Sequence, residues 1–165
     1  MAQLSMTDIE RIFRRQGWRY DLTDEDSLAT DFNGVVMLLE VAENGQALVI
    51  TAGVFITNDA NRQTALAHGR DVDTFLAAVD YAITDARYYR SRESGSVFYS
   101  SRVPVPASGK LDDITLARAL ANAVDAANTF SPMIENMIHG RLTLQHALDI
   151  LERAVQAAEN LRRSA

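Results

Sequence analysis

The sequence contains no cysteine among its 165 residues. Disulfides, thiolate metal sites, iron–sulfur clusters and thiol nucleophiles are therefore excluded. Lysine is scarce as well, since Lys110 is the single lysine among 16 basic residues, and the 22 acidic residues give a formal net charge of −6. A surface of that charge repels nucleic acid unless its basic side chains are concentrated in one place.

Long hydrophobic runs are also missing. Apolar runs such as VVMLL at residues 35–39 are far shorter than the roughly 20 residues that a membrane-spanning helix needs. The first residues, MAQLSMTDIER, lack the basic stretch and apolar run of a secretory signal. We therefore expect a soluble, cytoplasmic protein, and the length suits a single domain over residues 1–165.

Motifs for common catalytic chemistries are missing too. The sequence has no G-x-S-x-G elbow, no glycine-rich phosphate loop and no H-E-x-x-H pair. The acidic segment DLTDED at 21–26 would need glycine at its sixth position and glutamate at the twelfth to form a calcium loop, but Asp26 and Phe32 occupy those positions. We therefore predict no catalytic residue, metal or cofactor, and interpret the acidic segment as a solvated hairpin turn.

The first 22 residues predict a helix followed by a short strand. Thr7 and Glu10 have the spacing of a capping box, and Gly17 suits the position just after a helix end, so the helix is predicted at about 8–16. A short strand is predicted next, because apolar and polar residues alternate through Trp18, Tyr20 and Leu22.

Two Asn-Gly pairs predict a three-stranded meander. Asn33-Gly34 and Asn44-Gly45 each separate apolar runs, which is the pattern of a tight hairpin. Two-residue turns at both positions would place one apolar set on the same face, and a slip of one residue at either turn would destroy that agreement. The face comprises Leu28, Phe32, Val35, Met37, Leu39, Val41, Leu48, Ile50 and Val54.

The remaining pattern predicts helices around one further hairpin. A helix opening at Asp71 or Asp73 carries an apolar side, and Ser94-Gly95 separates two runs at 87–93 and 96–103. That apolar side consists of Val72, Phe75, Leu76, Val79 and Ile83. Another helix is capped by Asp112 or Asp113. We expect a fresh helix at Ser131-Pro132 that ends at His139-Gly140.

A final amphipathic helix is predicted at about 143–161. The fold class is therefore α+β, an antiparallel sheet of a meander and a hairpin packed by helices. The predicted order is α-β-β-β-α-β-β-α with the extra C-terminal helix.

Several apolar positions fall outside the predicted inner face and suggest a protein-binding surface. The opposite face of the meander is neither fully apolar nor fully polar, and the helix after Pro132 carries a methionine stripe that suits a core, an oligomer contact or a pliable binding surface. The candidate protein-binding residues are Val36, Leu38, Val49, Thr51, Met133 and Met137. A non-enzymatic protein-binding module, acting through a dimeric apolar sheet and helix surface, is the favoured hypothesis.

Two other functions remain open. A small-ligand binder or small enzyme could assemble a pocket from polar residues distant in sequence, among them Asp31, Glu40, Arg87, Arg90 and Arg92. The stretch RYYRSRE at 87–93 interleaves arginine with tyrosine, which suits single-stranded nucleic acid, although the net charge weighs against it.

The segment IERIFRRQGWRYDLTDEDSLATDFNGVVMLLEV resembles the opening of YbjN-like proteins. The matching positions are Gly17-Trp18, Tyr20, Thr30, Phe32 and Gly34, and the likeness extends over roughly residues 6–140. It implies an α+β fold similar to type III secretion chaperones, commonly dimeric, with a protein partner or client and no catalytic residues to carry over. Members have been assigned to sensory transduction without a settled biochemistry. The helix at 143–161 is an addition beyond the family's usual end.

Overall fold

The computed structural model describes residues 2–82 and 86–165. The helices are α1 (Met6–Gln16), α2 (Arg62–Ala67), α3 (Gly69–Ala82), α4 (Asp113–Ile138) and α5 (Leu144–Ser164). The strands are β1 (Asp21–Asp24), β2 (Ser27–Phe32), β3 (Val35–Ala42), β4 (Ala47–Phe55), β5 (Ala86–Arg90) and β6 (Val97–Pro104). In the described residues, no helix combines the length and the apolar character required to cross a membrane.

The strands form an antiparallel sheet in the order β1-β2-β3-β4-β6-β5. The α+β class is therefore confirmed, with the short β1 and the three strands of the meander before the central helices, and with the short α2 added. The chain forms two compact units, one of Met1–Val54 with Phe98–Thr129 and the other of Phe55–Val97 with Phe130–Ala165. The assignment of residues 1–165 to one domain stays a prediction.

The first helix begins earlier than predicted and has a different cap. Ser5 is the N-cap: its hydroxyl accepts the Asp8 N–H at 3.3 Å, while its own N–H donates to the Asp8 carboxylate at 3.0 Å. The predicted Thr7–Glu10 capping box is therefore wrong. The helix begins at Met6, whose side chain is buried, and this burial favours the earlier cap at Ser5. Gly17 ends the helix at φ 71°, as predicted.

The strand predicted at Trp18–Leu22 is displaced. Pairing with β2 begins only at Asp21, opposite Ala29, so most of the acidic segment is strand β1 and the turn is confined to residues 25–26. Trp18 and Tyr20 instead join an aromatic cluster around Phe13 of α1, with ring centroids 5.3 and 5.6 Å from the Phe13 ring. Tertiary packing of these rings thus overrides the local alternation.

The meander register is confirmed at both turns. Phe32 pairs with Val35 across the first turn, and Val41 pairs with Leu48 across the second. The second connection is a 3₁₀ turn at Glu43–Gly45, in which Glu43 and Asn44 as well as Gly45 adopt positive φ. Seven of the nine residues predicted for the inner face are buried, namely Leu28, Val35, Met37, Leu39, Leu48, Ile50 and Val54.

The second unit packs around phenylalanines and tyrosine. Phe75 of α3 and Tyr88 of β5 both make edge-to-face contacts with Phe130, at centroid distances of 6.0 and 5.2 Å. Val72 and Val79 are buried on the predicted side of α3. Ile83, predicted on the same side, lies outside the described residues. The hairpin predicted around Ser94-Gly95 is confirmed by β5 and β6.

The fresh helix predicted at Ser131-Pro132 is wrong, because α4 continues through Pro132. Proline inside a helix removes a hydrogen bond and typically costs about 3 kcal/mol. Here it lies on the exposed side, while Phe130, Ile134 and Met137 continue the buried stripe past it. Burial of these apolar side chains offsets the cost of proline. The helix ends before Gly140, which has φ 71°.

Candidate functional site

The outer face of the meander brings four of the six candidate residues together. Because pairing partners point to the same side of a sheet, Leu38 stands beside Thr51, and Val49 beside Glu40. Val36 is two residues from Leu38 on the same side of β3, opposite Asp31 of β2. We call this set the outer sheet face, made of Ala29, Asp31, Val36, Leu38, Glu40, Val49 and Thr51.

Apolar side chains on the outer sheet face are incompletely covered. Val36 is 59% exposed, and Leu38, Val49 and Thr51 are half-buried. By contrast, Met37 and Leu39 on the inner face are almost fully buried. Burial of apolar surface is favourable by about 25 cal/mol per Å². Binding of a partner over this face would therefore be favoured by burial of these side chains.

An open depression of about 560 Å³ lies at the β1–β3 end of this face. It is lined by Arg19, Tyr20, Asp21, Ala29, Thr30, Asp31 and Val36. Several polar groups there already have partners: the Thr30 hydroxyl donates to the Arg19 carbonyl at 2.7 Å, and the Asp31 carboxylate accepts the Gly34 N–H at 2.9 Å. These groups stabilise the turn and strand that shape the depression.

The acidic segment lines a second depression, of about 590 Å³, together with Glu40. Within it, the Asp26 N–H donates to the Asp24 carboxylate at 2.8 Å, and this bond lowers the pKa of Asp24. The contact stabilises the turn at residues 25–26, a structure that aspartate favours. Within residues 2–82 and 86–165, no cluster of three or more histidine and acidic side chains is placed to hold a metal ion.

Part of the arginine-tyrosine stretch is engaged in internal contacts. Arg90 donates two hydrogen bonds to the Asp73 carboxylate, at 2.9 and 2.8 Å, and these bonds raise the pKa of Arg90. Its side chain is only 10% exposed, and Gly69 leaves room for the guanidinium, since a Cβ at that position would lie 2.6 Å from Arg90 Cζ. Tyr88 is buried, whereas Arg87 and Arg92 are exposed.

The two candidate methionines belong to the second unit and differ in exposure. Met137 is 2% exposed, so it is part of the packed interior and does not offer a surface to a partner. Met133 is half-buried. The methionine stripe therefore contributes one accessible residue, and the outer sheet face carries the other four candidates.

Sequence reasoning missed a groove between α3 and α5 in the second unit. This groove has a volume of about 480 Å³ and is lined mainly by apolar side chains, including Ala78, Leu148, Leu151 and Val155. At its border Tyr81 is 93% exposed. The spacing of apolar residues in α5 is the available signal, but by itself it predicts only an amphipathic helix and not a groove beside it.

No protein-family model matches the sequence, and no curated protein matches it. Solved structures do match over most of its length. YbjN from E. coli matches with a TM-score of 0.54 at 9% identity, covering 82% of this chain and 93% of that chain. A chain of the HopA1–SchA chaperone–effector complex matches with a TM-score of 0.52 at 16% identity, covering 77% and 92%.

A chain of the ExsC–ExsE complex matches with a TM-score of 0.50 at 18% identity, covering 80% of this chain and 96% of that chain. These likenesses confirm the fold that the YbjN resemblance predicted. At such identities they establish the fold alone, because one fold supports many unrelated functions.

Proposed function

We propose that this chain is a non-enzymatic protein-binding module whose outer sheet face contacts a partner protein in the cytoplasm. The observation that carries the proposal is the exposure of Val36, together with half-buried Leu38 and Val49, on strands whose other face is mostly buried. Contiguous exposed apolar surface is typical of interaction sites. Thr51 of the same face supplies a polar group beside Leu38.

Some of the solved structures that resemble this chain come from complexes between different proteins, and this supports the proposal. Two of them are chains from complexes between different proteins, HopA1 with SchA and ExsC with ExsE. The homodimer implied by the YbjN resemblance is part of the proposal. Met133 is half-buried, and we keep it as a candidate residue for protein binding. Met137 is not retained, because it is buried.

The alternative function is small-ligand binding in the depression of about 560 Å³ beside Val36. Arg19 and Asp21 bring opposite charges to its lining, which would suit a polar ligand. The depression is open rather than enclosed between elements, whereas ligand pockets usually bury most of the ligand surface. Protein binding therefore accounts better for the same residues.

Two charge substitutions test the proposal. Val36→Asp places a carboxylate in the outer sheet face, and Ile114→Asp is the matched control because Ile114 is 70% exposed and belongs to α4, which contributes no residue to that face. Partners would be captured from the native host with each variant, identified by mass spectrometry and then purified for titration calorimetry. We expect Val36→Asp to weaken the purified interaction at least about tenfold, or about 1.4 kcal/mol.

Thermal unfolding of both variants is the control for folding. Equal affinity of Val36→Asp and wild type for every purified partner, with both folded, would contradict the proposed role of the outer sheet face. Binding of a small polar metabolite that Arg19→Ala abolishes, with no protein partner, would favour the alternative.

A further inference from the structure

Helix α5 carries more apolar surface than its own unit covers. At 100° per residue, its apolar positions from Leu144 to Leu161 span about half of the helix circumference, and the polar positions occupy the other half. One part of the apolar arc is packed: Ala147 is fully buried, and Leu148, Leu151 and Val155 line the groove with α3.

The other part of the arc is exposed and follows a regular spacing. Ile150 is 43% exposed and Leu161 is 73% exposed, and the alanines between them are exposed as well. We call this set the outer stripe of α5, made of Ile150, Ala154, Ala157 and Leu161. Successive members are four, three and four residues apart, which is the spacing of a coiled-coil contact line.

We propose that the outer stripe binds the outer stripe of a second copy of this chain, with the two α5 helices antiparallel. The proposal rests on the homodimer of the proposed function and locates its contact. It does not involve the outer sheet face, so the two surfaces can be tested separately.

The order of side-chain sizes along the stripe suits a second copy. The residues run large, small, small, large, and this order is symmetric about the point midway between Ala154 and Ala157. In an antiparallel pair, Ile150 then lies level with the partner's Leu161, and Ala154 level with the partner's Ala157. A two-fold interface requires such self-complementarity, and the central alanines allow helix axes to approach to about 8 Å.

Charge along α5 favours the antiparallel orientation. The first half of the helix carries Asp149, Glu152 and Arg153, and the second half carries Glu159, Arg162 and Arg163. Two acids and one base make the first half acidic by one charge, and one acid and two bases make the second half basic by one charge. An antiparallel pair brings the acidic half of each helix beside the basic half of the other and opposes the helix dipoles, both of which are favourable. A parallel pair would instead bring four arginines together at one end.

A lipid surface fits the stripe less well than a second copy. Interfacial helices usually carry a polar face rich in lysine and arginine. The polar face of α5 instead mixes Asp149, Glu152 and Glu159 with its arginines and contains no lysine. The observations therefore favour a protein surface of matching shape.

The contact is small, so the dimer should be weak. Stable interfaces bury about 1,200–2,000 Å² in total, and a stripe of four residues on one helix buries less. We expect a dimer that forms and dissociates within the micromolar range of protein concentration.

The absence of natural cysteine permits a direct test of orientation. Single variants Ile150→Cys and Leu161→Cys would be purified and oxidised separately and as an equimolar mixture. A disulfide needs Cα atoms within about 7 Å, and in the antiparallel pair two copies of position 150 lie about 16 Å apart along the helices. We expect cross-linking between the two variants in the mixture and little within either alone.

Self-cross-linking of each variant alone, at the level of the mixture, would overturn the antiparallel contact. No cross-linking in any sample, while light scattering shows a dimer, would overturn the α5 contact and leave the homodimer standing. A wild-type monomer at all concentrations up to the millimolar range would overturn the homodimer as well.

Light scattering on charge variants provides the second arm. Ala157→Glu should shift the monomer–dimer equilibrium at least about tenfold toward monomer, because it buries an unpaired carboxylate in the contact. Gln156→Glu is the matched control, since the exposed Gln156 lies at the α3 groove rather than on the stripe. Dissociation by Val36→Asp but not by Ala157→Glu would assign the dimer to the outer sheet face and overturn the α5 contact.

Discussion

The start of α1 depends on a single serine hydroxyl. Ser5 and Asp8 exchange hydrogen bonds that satisfy backbone N–H groups at the helix end. We predict that Ser5→Ala lowers the free energy of unfolding by about 1 kcal/mol, the usual cost of losing such a cap. Thr7→Ala, at the cap expected from the sequence, should change it by less than about 0.5 kcal/mol because Thr7 is an exposed residue inside the helix.

Urea denaturation of both variants measures the difference. The reverse ranking, with Thr7→Ala the more damaging, would show that the helix begins at the later cap.

Single residues were predictable where the backbone conformation requires them. The turns at the Asn-Gly pairs need positive φ, and few residues adopt it. The cap was not, because Ser5–Asp8 and Thr7–Glu10 have the same spacing and only the burial of Met6 decides between them.

Among the elements, the meander could be derived from the sequence and β1 could not. Two turns and a period of two fix the register of β2, β3 and β4, because any slip exposes the inner face. Trp18 and Tyr20 also alternate, yet they pack on Phe13 and precede the paired segment. Local alternation cannot distinguish a strand from a loop whose aromatic rings are held by a helix.

Helix α4 provides a test at the scale of one element. Pro132→Ala should raise the free energy of unfolding by about 1–2 kcal/mol, since proline is about 3 kcal/mol worse than alanine inside a helix and part of the gain is lost to a more flexible unfolded chain. Pro132 is exposed, so little packing is lost. Ser131→Ala should have an effect below about 0.5 kcal/mol.

Thermal and urea unfolding would both report these changes. If Ser131 instead capped a separate helix, Ser131→Ala would cost about 1 kcal/mol and Pro132→Ala would bring no gain. The sequence favoured that break because Ser-Pro is typical of helix starts. The buried stripe continuing through Phe130 and Ile134 decides otherwise.

At the scale of the whole molecule, the candidate surfaces were only partly predictable. The register implied by the sequence assigns Val36, Leu38, Val49 and Thr51 to one face, because successive strand residues point to opposite sides. Met137 was assigned to the same surface from its residue type, yet it is buried. Which side of a helix is covered depends on packing between distant segments, and local periodicity does not carry that information.

Acid stability of the molecule depends in part on one carboxylate that joins α1 to α4. Asp113 accepts hydrogen bonds from Arg15 and from Gln16, the latter at 2.8 Å. These bonds lower the pKa of Asp113 from 3.8 to about 2. A carboxylate with a lowered pKa in the folded state stabilises it fully above the unfolded pKa, and this contribution is lost as the pH falls through the folded pKa.

Asp113→Asn removes that contribution. The difference in free energy of unfolding between wild type and Asp113→Asn should therefore be constant from neutral pH down to about pH 5 and shrink between about pH 4 and pH 2. Urea unfolding across this range measures it, and Asp59→Asn, an exposed loop position, controls for the loss of one negative charge. A difference that stays constant down to pH 2 would mean that the bonds of Asp113 to Arg15 and Gln16 do not hold α1 against α4 in solution.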